Sequence, residues 1–181
     1  ALHIAYYDKE LLAVAAKKSG LSSQFMNTYD EKPTRSFLYS LVMGQRGLFP
    51  DSAEATVEQL AANAQRDAIL AVAGEGSCVI VGRCADHVLA GTERLGRIFI
   101  YADMEARIQR IREKGYYEEH EIARNIRRMD RERRDYHRYY TGKEWENVEN
   151  YDMMLNSGVL GTDGCVECIL SYLKIRGLYP A

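Results

Sequence analysis

The sequence predicts an α/β fold, a mostly parallel sheet flanked by helices, because strand-like and helix-like segments alternate along the chain. Three observations carry that expectation. Short apolar runs rich in β-branched and aromatic residues recur at HIAYY (3–7), CVIV (78–81) and RIFIYA (97–102). Stretches of helical periodicity separate them, as the crossovers between parallel strands require. CVIV shows no polar alternation at all, as expected of a central strand covered on both faces.

The elements follow in order. Residues 3–7 read as a short buried strand, and Asp8 can cap a helix through Leu11, Leu12 and Ala15 to a stop at Gly20. Residues 22–52 are mixed and polar, punctuated by Pro33, Gly44, Gly47 and Pro50; a mobile region with one short helix near 36–43 is expected. From 52 to 73 an alanine-rich helical pattern places Val57, Leu60, Ala64, Ile69 and Leu70 at apolar positions, and Gly74-Glu75-Gly76 ends it. Gly82-Arg83 then stands at the carboxyl end of CVIV. The strand at 97–102 leads into a helix from Asp103 to Lys114, broken by Gly115, and an arginine-rich helix runs from about Glu118 to Tyr140. Residues 150–157 (NYDMMLNS) supply the last strand, and Thr162 or Asp163 caps a final helix reaching Arg176. Ligands of such sheets bind beyond the carboxyl ends of the strands. Asp8, Gly82, Arg83, Asp103, Asn156 and Ser157 all stand just past a strand, so one site with the arginine helix folded over it is expected.

At 181 residues the chain is expected to be one domain, with at most a mobile insertion. A formal charge of −2 argues against a general nucleic-acid binder; the basic character is local, which fits a small anionic ligand. Four cysteines (Cys78, Cys84, Cys165 and Cys168) sit in a chain too large to need disulfide staples, so reduced thiols and a cytoplasmic location are expected. Cys165 and Cys168 form a lone C-x-x-C inside the helical pattern Val166, Ile169, Leu170, Leu173, which reads as packing and not as a metal site. The four histidines share no metal-ligand spacing, and no metal ligands are assigned. With no apolar run of about 18 residues, no membrane span is expected.

Seven arginines fall within residues 124–138. Arg124, Arg127, Arg131, Arg134 and Arg138 follow 3-4-3-4 spacing and line one helical stripe, beside an apolar stripe of Ile122, Ile126, Met129, Tyr136 and Tyr140. Like charges at this spacing repel by about 0.2–0.5 kcal/mol per pair, and Asp130, Glu132 and Asp135 offset only part of it. A solvated, salt-bridged face is the plain reading of such a run. The choice of arginine over lysine throughout favours phosphate binding instead, because planar guanidinium forks make bidentate contacts. Arg83 is the sharpest single position: it either pairs with a structural acid such as Asp86 or binds phosphate.

CVIVGRCADHVL, the RIFIYAD junction, MDRERRDYHRYYTGKEW and NYDMMLNSGVLG resemble the cytidylate kinase-like family, relatives of the nucleoside monophosphate kinases with a P-loop fold. The resemblance covers residues 1–176, weakly over 22–52, and YYTG-x-x-W followed by NYD is its most specific part. It implies a single P-loop kinase-type domain over 1–181, with 22–52 on the acceptor side and 115–142 as an arginine-rich helical lid. It also implies an ATP-dependent phosphotransferase using Mg²⁺, whose acceptor is a small phosphate-bearing molecule, a nucleoside monophosphate such as CMP first. The implied partners are small nucleotides, with no nucleic acid and no membrane. The family's R-x-x-x-D-x-x-R lid pattern is matched by Arg131, Asp135 and Arg138. By that resemblance Arg131 and Arg138 meet the transferred and acceptor phosphates, Asp135 orients an arginine or a base, and Arg127 or Arg134 supports Arg131. Gly82 and Arg83 match the pair that grips the acceptor phosphate, but Cys84 stands where the family carries Asp. Asp8 matches the Asp that opens the acceptor-binding segment, although no Arg follows at the expected distance. Asn156 and Ser157, in the loop after the last strand, either border the donor's base or make a plain turn, and Trp145 packs the lid's base in preference to stacking on a nucleotide.

No G-x-x-x-x-G-K-[ST] occurs in the chain. In the family the phosphate loop lies just before the helix that ALHIA would finish, so a preceding segment on the order of 25–35 residues is expected to hold the first strand and that loop. Without it the chain is expected to be inactive as a kinase. Two other classes remain: a catalytically weak nucleotide-binding regulatory module, and a protein that binds RNA or an acidic partner through the arginine helix.

Overall fold

The computed structural model describes residues 2–8, 10–20 and 57–179. The segment expected to be mobile, 22–52, lies outside the described residues, as does the expected start of the alanine-rich helix at 52. The described elements are β1 (Ala5–Tyr7), α1 (Glu10–Ser19), α2 (Val57–Glu75), β2 (Cys78–Ile80), α3 (Ala85–Val88), β3 (Ile98–Tyr101), α4 (Met104–Lys114), α5 (Glu119–Thr141), a 3-10 turn (Val148–Asn150), β4 (Met153–Asn156) and α6 (Ser157–Ile175). Strands and helices alternate as predicted, and they form two small parallel sheets, β1-β2 and β3-β4, flanked by helices. The chain divides into two compact units, His3–Val88 and Leu89–Ala181 with Ala1–Leu2.

In the His3–Val88 unit Ala5 pairs with Cys78 and Tyr7 with Ile80, and the Val81 amide extends the ladder to the Tyr7 carbonyl at 2.9 Å. Helices α1 and α2 pack against each other through Leu11, Ala15, Ala61, Ala64, Ala68 and Ile69, all buried. Alanines on the α2 face let the helices approach closely, which is why so alanine-rich a stretch still builds a core. Two expectations are corrected here. β1 is not buried, since Tyr6 is well exposed, and β2 is not covered on both faces, since Val79 and Val81 are 40% and 41% exposed. The cause is pleating against a single cover: Cys78 turns toward α2, its Sγ 4.0 Å from the Val72 carbonyl, and Val79 points the opposite way.

In the other unit β3 and β4 run in register from Ile98–Met153 to Tyr101–Asn156. Asp103 precedes α4 in extended conformation, and Gly115 ends that helix by donating its amide to the Ile111 and Arg112 carbonyls. Helix α5 lies within a residue of its predicted span and buries Ile122 and Ile126 against its surroundings, with Tyr136 and His137 continuing the inward face. It stops at Gly142, whose φ of 70° is the left-handed cap conformation that glycine adopts without a Cβ penalty. The final helix is corrected. Asn156 and Ser157 do not form a loop: Asn156 ends β4 and its Oδ1 accepts the Gly158 amide at 2.9 Å, so α6 begins at Ser157. Gly161, at φ 66° and ψ −179°, then breaks the helical path, so the segment predicted to start at Thr162 does begin there and the short stretch from Ser157 is what the prediction lacked. Among the described residues no helix is long and apolar enough to cross a membrane.

Candidate functional site

A cleft of about 580 Å³ opens beside the carboxyl end of β3, wholly within the Leu89–Ala181 unit. Its aromatic wall is Phe99, Tyr101 and Trp145; Phe99 meets Trp145 edge-on at 5.2 Å between centroids and Tyr151 at 4.9 Å. The turn that presents Trp145 and Glu146 is held from below: Asn150 donates to the Glu144 carbonyl and the Tyr151 hydroxyl to the Trp145 carbonyl, both at 2.6 Å. Trp145 thus packs on a strand residue.

The charged wall is Arg107, Arg110, Asp130, Arg133 and Glu146. Arg110 donates to Ser157 Oγ at 2.9 Å and to the Ser157 carbonyl, and that hydroxyl donates to the Tyr101 carbonyl at 3.0 Å. Arg107 forks onto Asp130 with two bonds of 2.7 Å, which pushes its guanidinium above the ordinary value; Glu146 adds to the effect. Each of the two arginines is fixed by a second element.

Outside the cleft, α5 carries the arginine stripe. Arg124 is held by Glu121 at 2.6 Å, Arg128 by Glu132 at 3.0 Å, Arg134 by Glu146 at 3.7 Å and Arg138 by Glu144 at 3.3 Å. Arg127 and Arg131, one turn apart and both exposed, make no hydrogen bond or ion pair with any described residue. Asp135 is exposed on the same helix.

In the His3–Val88 unit the turn after β2 is strained. Gly82, Arg83 and Cys84 have φ of 70°, 54° and 54°, and each non-glycine residue in that region costs about 1–2 kcal/mol. Arg83 is 5% exposed; its Nη1 donates to the Val81 carbonyl at 3.0 Å and to Asp8 Oδ1 at 3.4 Å. The structure thus brings Asp8, Gly82 and Arg83 together. In the other unit Asn156 Nδ2 reaches Asp103 at 3.5 Å, and Ser157 alone of the predicted site residues lines the cleft.

Arg107, Arg110, Asp130 and Arg133 were not singled out as site residues by the sequence. Their signal was present: Arg107 and Arg110 stand three apart in the helix following a strand, and Asp130 occupies the next step of the Ile122–Ile126 stripe. Among the described residues no group of three or more His, Cys, Asp or Glu side chains could hold a metal ion. All four cysteines are free, and burial pushes the Cys78 thiol up.

Fold and site together define an α/β protein that displays a cationic, aromatic cleft and an arginine-rich helix beyond parallel strands. The chain belongs to the cytidylate kinase-like family, whose profile matches residues 1–159. Among solved structures it is similar to an uncharacterized protein from Eubacterium ventriosum ATCC 27560, with a TM-score of 0.61 and 28% identity over 65% of this chain and 74% of that one. No curated protein matches it. Family membership supports a nucleotide-related, kinase-type function.

Proposed function

We propose that the protein transfers a phosphoryl group from MgATP to a small phosphate-bearing acceptor, with CMP the first candidate. One observation carries this reading: of the stripe arginines, Arg127 and Arg131 alone stay exposed and uncommitted to any described acid. Two free guanidinium groups one helical turn apart are spaced to hold a phosphate. Phosphoryl transfer needs positioning and neutralisation of charge on the equatorial oxygens more than covalent help from the protein. On this reading α5 is the lid, Arg131 meets the transferring group, and Arg127 and Arg134 support it. Arg138 and Asp135 contact the acceptor side; Asp8, Gly82 and Arg83 hold the acceptor phosphate; Asn156 and Ser157 border the donor base. Mg²⁺ is read as arriving with the nucleotide.

The fold is read as the P-loop kinase type. The free thiols support a cytoplasmic location.

The test is ADP release by the full-length gene product with MgATP and a panel of nucleoside monophosphates. Acceptor-dependent turnover is expected, with Arg131→Ala lowering kcat about 10³-fold, by analogy with arginine fingers. Turnover undiminished in both Arg131→Ala and Arg83→Ala overturns the assignment of roles. A second reading, a regulatory module that binds nucleotide without turnover, is favoured by Arg83 being engaged by Val81 and Asp8. ATP binding with no turnover across the panel selects it.

A further inference from the structure

Asp130 breaks the pattern of its own helix. Ile122, Ile126 and Asp130 follow at four-residue steps on the buried face of α5, and the first two are among the most buried side chains of the chain. At the third step the helix buries a carboxylate, 8% exposed, in place of a third apolar side chain. Such a group is costly unless paired, and Arg107 of α4 pairs it with a fork of two 2.7 Å bonds. Two apolar side chains of similar size would hold α4 and α5 together at least as well, since a buried ion pair is weak evidence of stabilisation. What the fork adds is direction. A leucine tolerates some rotation and sliding of a helix against its neighbour; two parallel N–H···O bonds to one carboxylate do not.

The direction fixed is that of the arginine stripe. With 3.6 residues per turn, Arg127 and Arg131 project roughly 60° and 100° around the axis from Asp130. Rotation of α5 about the Asp130 position therefore swings both free guanidinium groups. On the other side of the fork, Arg107 feels the charge of Glu146, which in turn holds Arg134 at 3.7 Å. Asp130, Arg107, Glu146 and Arg134 thus alternate in sign from the floor of the cleft to the arginine stripe.

We infer that Asp130 is a positioning residue: through the Arg107 fork it sets the rotation of α5 so that Arg127 and Arg131 face the phosphates, without touching the nucleotide itself. The inference rests on the phosphotransferase reading of α5.

The experiment compares the full-length parent with Asp130→Asn and with the apolar pair Arg107→Met plus Asp130→Leu, measuring Tm, kcat and KM for MgATP, and affinity for inorganic tripolyphosphate. The apolar pair is expected to keep or raise Tm while kcat falls ~100-fold, the scale of an ångström-level misplacement, with KM little changed. Asp130→Asn should lower kcat in the same sense. A stable apolar pair with parental kcat overturns the positioning role and leaves the phosphotransferase reading intact. A rise in KM with kcat preserved also overturns it, because it assigns Arg107 a direct nucleotide contact. If the parent turns over no acceptor, tripolyphosphate decides: binding weakened in both variants at parental Tm supports the positioning of Arg127 and Arg131, and binding unchanged, or absent in the parent, overturns it.

Discussion

Arg97 and Asp152 show how one residue pair couples the β3–β4 sheet to pH. Asp152 accepts the Arg97 amide at 2.8 Å and its guanidinium at 2.8 and 3.5 Å. The side-chain bond from Arg97 is the main cause that holds the Asp152 carboxyl below its ordinary value, with the Tyr172 hydroxyl assisting. A depressed carboxyl stabilises the fold above its unfolded pKa of about 4 and loses that contribution as pH falls through the lower native value. Asp152→Asn is therefore expected to be less stable than the parent at neutral pH, with the difference shrinking as pH falls below about 4 and gone only below the depressed native value. Urea midpoints measured across the acid range check it; a difference that persists at the acid end contradicts the linkage. Asp152 was visible in the sequence only as part of a strand, because its partner lies 55 residues away. A charge pair of that separation leaves no local periodicity to read.

At the scale of elements, α5 is the part of the chain the sequence described best. Its apolar stripe, its arginine stripe and its glycine stops all have local causes, and the helix spans Glu119–Thr141 as those causes demand. The stripe also predicts which positions matter for stability. Ile126→Ala should cost about 2–5 kcal/mol, the range for deleting a fully buried isoleucine. Gly142→Ala should cost only about 1 kcal/mol, the penalty of a Cβ at left-handed φ. Equilibrium urea denaturation ranks the two, and the reverse order would mean that the cap and not the buried face anchors the helix. Helix α6 was less legible. A glycine just before Thr162 resembles a boundary, whereas the Asn156 side chain had already seeded the helix at Ser157. Both signals act: the Asn156 cap starts a short helical stretch, and Gly161 breaks it before the predicted helix begins.

For the whole molecule, charge distribution separates the remaining classes. A net charge of −2 with the arginines gathered on one helix gives a local field, not a basic surface. Four of those arginines already meet glutamates. Saturable RNA binding by the protein is therefore expected to be absent at roughly 0.15 M salt, measured by fluorescence anisotropy with a labelled oligonucleotide. Tight binding that falls steeply with salt and ignores nucleotide would point to the RNA-binding class instead.

Local rules in the sequence determined the alternation of strands and helices, the span of α5 and the concentration of guanidinium groups on one of its faces. They also placed Gly82 and Arg83 past a strand, because a glycine after an apolar run is a local signal. Tertiary structure decided which charges are committed. Only folding showed that Arg83 meets Asp8, that Arg107 meets Asp130, and that Arg127 and Arg131 remain free of described acids. Spacing along one helix specifies which side chains share a face, but the partner across the gap comes from a distant segment. That partner decides whether an arginine is structural or available.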